Sequence, residues 1–513
     1  MSGPQTVAIL DFGSQYTQVI ARRVREQRVF SEILAHDTPT EVLADDRFAA
    51  IILSGGPASV FGENAPRLDP RILSLNKPIL GICYGLQALL QLTGGKVRSN
   101  GQGEYGPAVL EIEAPGGLFE GLAGPSTVWM SHGDRVESLS PEWEVTARSD
   151  GGVIAAVRHK SQPYFGTQFH PEVQHTTEGS TMLANFLFEV AGCRPEWTPA
   201  HHLEALTAGI REQVGSEKVL CALSGGVDSS VAATLLTRIL GDQVTCVFID
   251  HGLLRKGESR EVLSTIGAGL GLTIRKGDYA ATFLAALEGV TDPEEKRLII
   301  GREFIRAFEE MARSEGSARF LAQGTLYPDV IESGGESGTS ETIKSHHNVG
   351  GLPAEHGFEI LEPLRALFKD EVRELGRELG LPEAILQRHP FPGPGLAVRI
   401  LGEVTAERLA LLREADAIYM EILKETGEYE RIWQAFAVLV PVKTVGVMGD
   451  QRTYDYLLAL RAVTSSDGMT ADWYHMPPDV LGRCSSRIIN EVPGINRVVY
   501  DISSKPPSTI EWE

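Results

Sequence analysis

The sequence predicts an α/β protein: two parallel-sheet domains, each doubly wound by helices, and a smaller C-terminal α+β domain. Short apolar runs of strand length alternate with helical segments in two separate stretches. The second stretch opens on an apolar strand, a tight Gly/Ser/Asp loop and a helix, VLCAL-SGGVDSS-VAATLLTRIL, between Val219 and Leu240. With 513 residues, 42% of them hydrophobic and 22% charged, the chain has length for about three domains that each bury a core.

In order along the chain, the first stretch reads VAILDFG, FSEILAH, AAIILSGGP and PILGICYG, with helices or loops between, and closes on the helix TMLANFLFEVAG. This alternation predicts a mostly parallel sheet over residues 1–193. The segment Cys193-Arg194-Pro195-Glu196-Trp197-Thr198-Pro199 has two prolines and no periodicity, so 194–199 reads as a linker. The runs VLCALS, TCVFID, LTIRKG and RFLAQGT make the second sheet, over 200–388. The rigid turn HPFPGPG at His389 opens a third segment, 389–513, which ends in KPPSTIEWE.

A formal charge of −21 argues against a nucleic-acid partner, which needs a basic surface. Five cysteines without a C-x-x-C pair disfavour a disulfide framework or zinc site and fit a reducing cytoplasm. The strand-like start leaves no room for a signal peptide, and no apolar run nears the roughly 18–20 residues that span a bilayer, so no membrane partner is expected.

The loop Ser224-Gly225-Gly226-Val227-Asp228-Ser229-Ser230 has the parts of an anion cradle. Adjacent glycines allow close backbone approach, the helix aims its free amides and positive dipole end at the anion, and the serines add donors. No G-x-x-x-x-G-K-[ST] is present, so nothing suggests γ-phosphoryl transfer. The loop resembles that of the N-type ATP pyrophosphatases, which implies ATP as cofactor, with Mg²⁺, and cleavage to AMP and pyrophosphate. Asp228 would either support the Mg²⁺ or cap the loop and helix.

Cys83, in Gly81-Ile82-Cys83-Tyr84-Gly85, follows an apolar run and precedes the helical LQALLQL. This is the cysteine form of the strand–nucleophile–helix elbow, whose flanking glycines permit a sharp turn. A base must come from elsewhere, and Phe169-His170-Pro171-Glu172 offers His170, with Glu172 two residues on to orient it if the segment is a strand. Most free cysteines are packing residues, and Cys193, Cys221, Cys246 and Cys484 read so. The elbow and the H-P-E segment together resemble the class I glutamine amidotransferases. That resemblance implies hydrolysis of glutamine through a γ-glutamyl thioester. The backbone amides of Gly55 (in Ser54-Gly55-Gly56-Pro57) and Tyr84 would form the oxyanion hole, while Gln87 and the turn Ser131-His132-Gly133-Asp134 would hold glutamine.

The motifs QGTLYPDVIES, IKSHHNVGGLP, FPGPGLAVRI and KPPSTIEWE, in that order, resemble the GMP synthetase family across essentially the whole chain. The resemblance implies that Arg297, Arg399, Gln434, Lys505 and Glu511 hold xanthosine monophosphate (XMP), though Gln434, in the apolar WQAFAVLV, also reads as a satisfied buried amide. Asp329, Glu332 and Lys344 bracket ESGGESGTSET, read as a lid with Lys344 catalytic, the alternative being a surface loop. His346 and His347 come without metal-ligand spacing. The implied partners are XMP, ATP and glutamine, with a homodimer formed by the third domain. NAD synthetase uses the same ATP chemistry, but KPPSTIEWE does not fit it. An RNA-thiolating enzyme would need sulfur-carrying cysteines and a basic surface, and a nucleotide sensor would not need every acid, base and nucleophile position filled.

Overall fold

A computed structural model describes residues 5–122, 124–314, 318–334, 358–448, 450–465 and 470–513. Its chain divides into two packing units, Met1–His202 and Leu203–Glu513.

The first unit is built on nine strands: β1 (Thr6–Asp11), β2 (Phe30–Ala35), β3 (Phe48–Leu53), β4 (Ile79–Ile82), β5 (Lys96–Ile112), β6 (Ser126–Ser138), β7 (Trp143–Ser149), β8 (Ile154–His159) and β9 (Tyr164–Thr167). They lie in the order β2-β1-β3-β4-β9-β8-β7-β5-β6. The pairings from β2 to β9 are parallel, and those from β9 onward antiparallel. The parallel half is the one the apolar runs predict. Its strands read as continuous apolar sequence because both faces are covered, and Ile51, Ile52 and Leu53 have no exposed surface. The antiparallel half makes the sheet mixed rather than mostly parallel. Its long strand β5 carries Gly101, Gly103, Gly106 and Pro107, a composition that reads as loop.

The helix expected at the end of this unit is present as Gly179–Asn185, running into a π-helical turn at Phe186–Val190. The segment expected as a linker is anchored to the first unit through Trp197. Its backbone amide donates to Arg28 O at 2.8 Å, and its ring packs 4.5 Å from Phe30.

In the second unit, β10 (Val219–Ala222), β11 (Val244–Asp250), β12 (Ile274–Asp278), β13 (Phe320–Ala322) and β14 (Glu359–Leu361) form a parallel sheet in the order β12-β11-β10-β13-β14. The chain fills one side of β10 and then the other, so the topological switch falls at the carboxyl end of β10, where such sheets bind ligands. The loop SGGVDSS begins there. A second sheet joins β15 (Gln434–Met448), β16 (Gln451–Thr464), β17 (Asp472–Trp473) and β18 (Ile495–Tyr500), with β16 paired to the other three. One hydrophobic cluster takes Leu220, Val247 and Leu321 from the first sheet and Ala435, Leu439 and Leu458 from the second. The HPFPGPG turn sits within this packing, His389 stacked on the Tyr429 ring at 3.8 Å.

Candidate active sites

Cys83 joins β4 to the helix Tyr84–Leu92 with φ +51° and ψ −103°, a left-handed conformation that costs a side-chain-bearing residue about 1–3 kcal/mol. The surroundings over-determine it. The Cys83 amide donates to Thr167 O at 2.7 Å. A Cβ on Gly81 would lie 2.7 Å from Leu86 Cα, and one on Gly85 would lie 2.4 Å from Leu53 O. Both flanking glycines are therefore required by backbone contact. The turn presents Sγ 3.7 Å from Ser131 O and 3.7 Å from Gln168 Nε2.

His170 stands by Cys83, whose thiol helps raise its pKa, and its Nδ1 lies 2.7 Å from Glu172 Oε1. A carboxylate only accepts, so Nδ1 carries the proton and Nε2 is left for the thiol. Burial presses the imidazole pKa down, but the charge of Glu172 and the hydrogen bonds to Cys83 and Glu172 outweigh it and raise it well above 6.5. The segment is not the strand that the two-residue spacing assumed. His170 and Glu172 lie in an irregular turn after β9, where Thr176 Oγ1 donates to His170 O at 2.6 Å. Glu172 has no exposed surface, and its Oε2 has no partner among the described residues.

The Gly55 and Tyr84 amides find no acceptor among the described residues. Ser54 aims the first of them: its carbonyl accepts the Gly85 amide at 3.0 Å, so the trans Ser54–Gly55 peptide turns its N–H the opposite way. A Cβ on Gly55 would lie 3.1 Å from His170 Cε1, which puts this amide beside the base. Gln87 is buried, with Nε2 on Asp134 O at 3.0 Å and Gln168 Oε1 at 3.3 Å. Ser131-His132-Gly133-Asp134 lies within β6 and is not a free turn. His132 is buried with Nδ1 on Asp134 O at 2.9 Å, and burial lowers its pKa to about 4.

In the second unit the loop after β10 turns at Gly225, φ +83°, where a Cβ would lie 2.6 Å from Val262 Cγ2. Its serines brace the loop. Ser229 Oγ accepts the Ser224 amide at 3.2 Å, and Ser230 Oγ donates to Gly226 O at 2.7 Å. Arg388 donates to Gly225 O at 2.8 Å. These bonds leave the first-turn amides of the helix Val227–Leu240 free for an anion. Asp228 does not cap that helix, whose N-cap is Gly226, a residue with no side chain to accept from the first turn. Asp228 Oδ2 lies 3.0 Å from Lys369 Nζ, and its buried Oδ1 has no partner among the described residues. That orphaned oxygen fits a Mg²⁺ ligand, although no group of three metal-binding side chains occurs among the described residues.

Three of the five residues expected to hold XMP meet. Arg399, with no exposed surface, forks onto Glu511 through Nε at 3.1 Å and NH2 at 2.9 Å. Gln434 Nε2 donates to the same carboxylate at 2.7 Å. The guanidinium carbon lies 5.0 Å from the Phe391 ring and 4.3 Å from the Phe436 ring, and its NH1 has no partner among the described residues. Arg297 bonds Glu513 O instead. Lys505 pairs by backbone with Ala471.

Comparison with known proteins places these parts together. Residues 8–190 match the class-I glutamine amidotransferase model, 421–512 the GMP synthase C-terminal domain, and 217–262 the tRNA methyl transferase HUP domain. The glutamine-hydrolysing GMP synthase of Carboxydothermus hydrogenoformans is 56% identical over 99% of this chain and 99% of that one. That of Chlorobium luteolum is 55% identical, over 99% and 100%. The chain belongs to the glutamine-hydrolysing GMP synthases. The HUP match spans β10, the helix Val227–Leu240 and β11, the elements that flank SGGVDSS.

As a GMP synthase the chain still holds residues that its sequence did not single out. Gln168, two before His170, joins Gln87 to the Cys83 sulfur, and Lys369 and Arg388 hold the anion loop. Among the lid candidates, Asp329 Oδ2 accepts the Leu326 amide at 2.9 Å and so braces the start of the helix Tyr327–Gly334. Glu332 lies on that helix. Lys344, His346 and His347 lie outside the described residues.

Proposed function

We propose that the chain converts XMP, ATP, glutamine and water to GMP, AMP, pyrophosphate and glutamate through an adenyl-XMP intermediate. In the first unit Cys83 Sγ attacks the glutamine carboxamide while His170 Nε2 takes the thiol proton and returns it to the departing ammonia. Glu172 holds the tautomer, and the Gly55 and Tyr84 amides receive the oxyanion. Water then cleaves the thioester. The observation that carries this half is the Cys83 elbow at φ +51° beside the 2.7 Å His170–Glu172 pair.

In the second unit the amides of Ser224–Ser230 take the departing pyrophosphate as the xanthine C2 oxygen attacks the α-phosphorus of ATP. Ammonia then adds at C2 and AMP leaves with that oxygen. Arg399, with its spare buried NH1, Gln434 and Glu511 hold XMP, joined by Arg297 and Lys505. Lys344 steadies the transferring phosphoryl group. Mg²⁺ would be held at Asp228, where it offsets phosphate charge.

The assembly is a homodimer in this reading, supported by apolar side chains bared on the outer half of the β15–β16 hairpin. Val445, Val447 and Tyr454 are 53, 72 and 56% exposed, and Val445 faces Tyr454 across the strands. The cytoplasm is its place, consistent with free thiols at all five cysteines. Among the described residues no helix is long and apolar enough to cross a membrane.

Cys83→Ala tests the division of labour. GMP formation with glutamine should fall at least about 10³-fold, the scale of losing a covalent nucleophile, while formation with ammonium salt stays within twofold. Equal loss of both would refute it.

A further inference from the structure

Lys296 and Arg461 have no exposed surface, and neither belongs to the sites above. A buried cation is tolerated only when paired and hydrogen-bonded throughout, so their partners show what they do. Lys296 lies in the first turn of the helix Pro293–Ser314. It donates to Ile400 O at 2.7 Å, to Ala397 O at 3.4 Å and to the Glu513 carboxylate. The other oxygen of that carboxylate accepts the Gly402 amide at 3.0 Å. Arg461, on β16, donates through Nε to Ile510 O at 2.7 Å and through NH2 to Thr509 O at 2.9 Å. Its NH1 reaches Asp501 Oδ2 at 2.7 Å and Ser503 O at 3.0 Å.

The tail is thus clamped at 509–510 by one cation and at 513 by the other, and Glu511 lies between the clamps. Ile510 is buried against Phe436 and Val438. Apolar packing alone would tolerate a slip along the chain. The buried Lys296–Glu513 pair does not, because a one-residue shift would leave Lys296 without its carboxylate and carry Glu511 off Arg399 and Gln434. We propose that Lys296 is a positioning residue for XMP: it fixes the register of residues 509–513, which Arg461 holds down through their backbone carbonyls, so that Glu511 meets Arg399 and Gln434. The inference rests on the reading that these three groups hold XMP.

The test uses the full-length enzyme with ammonium salt as nitrogen donor, so that the glutaminase is bypassed. Lys296→Met should raise the KM for XMP at least tenfold while the KM for ATP stays within twofold. Amide hydrogen exchange over 507–513 should quicken while exchange over the helix Val227–Leu240 stays unchanged. Glu513→Gln, which keeps the size of the anchor, should shift the XMP KM in the same direction and serves if Lys296→Met fails to fold. An unchanged XMP KM in the soluble variants overturns the inference. So does a loss that falls equally on XMP and ATP, because that marks general destabilisation. Glu511→Gln separates the two levels. An unchanged XMP KM there sinks the site reading itself, whereas a raised value there with unaffected anchor variants sinks only the register claim.

Discussion

At the scale of residues, Cys83, His170 and Glu172 were legible because each is a reactive type in a setting that packing does not require. The spacing of two placed the carboxylate near the imidazole, but the contact is made by a braced turn and not by a strand face. Gln168, Lys369, Lys296 and Arg461 were not legible. Lys369 and Lys296 meet partners 141 and 217 positions away, and no local pattern encodes such pairs. Glu172→Gln tests the orienting role. It removes the charge that holds the His170 pKa up and leaves burial to press it down. Glutaminase kcat/KM at pH 7.5 should fall roughly 10²–10⁴-fold, the span of a lost general-base arrangement, with ammonia-driven synthesis intact. The sign for stability follows by linkage. A histidine whose folded pKa is raised contributes stability that is full below its unfolded value of about 6.5 and is lost as pH rises through the folded value. The gap in urea midpoint between the natural protein and Glu172→Gln should therefore be wider at pH 6 than at pH 9. A gap that widens with pH would contradict this.

At the scale of elements, the parallel strands and the two strand–loop–helix units were legible from apolar runs interrupted by glycine. The loops succeed as signals because their glycines answer to close contacts and a positive φ. Gly85 stands against Leu53 O, and Gly225 turns at φ +83° against Val262. The β5–β6 hairpin escaped notice because its glycines imitate a loop. The linker reading at 194–199 missed Trp197, whose aromatic anchor outweighs the two prolines. Gly85→Ala should show how tightly the elbow is built. With a contact of 2.4 Å to be relieved, overpacking of about 1–3 kcal/mol is expected. Its readouts are a lower melting temperature and loss of glutamine-driven turnover, with ammonia-driven turnover kept. Full glutaminase activity in this variant would show that the elbow has slack.

At the scale of the whole molecule, one chain carries two chemistries in two packing units. A net charge of −21 does not prevent it from handling anions, because the cations that matter are concentrated locally. Arg399, Lys296 and Arg461 are all without exposed surface, so a charge count over the chain says little about the field at the tail. The reading of an XMP site rests on long motifs, and the structure adds the way their residues converge, with Arg399 and Gln434 sharing the Glu511 carboxylate.

In the proposed reaction the xanthine C2 oxygen becomes the adenylated oxygen. This is tested most directly by supplying XMP labelled with ¹⁸O at C2, together with ATP and glutamine, and locating the label by mass spectrometry. One ¹⁸O is expected in the phosphate of AMP, none in pyrophosphate or glutamate, and AMP equal in amount to GMP. Label retained in the purine, found in pyrophosphate or released to water, or AMP formed without XMP, would contradict it.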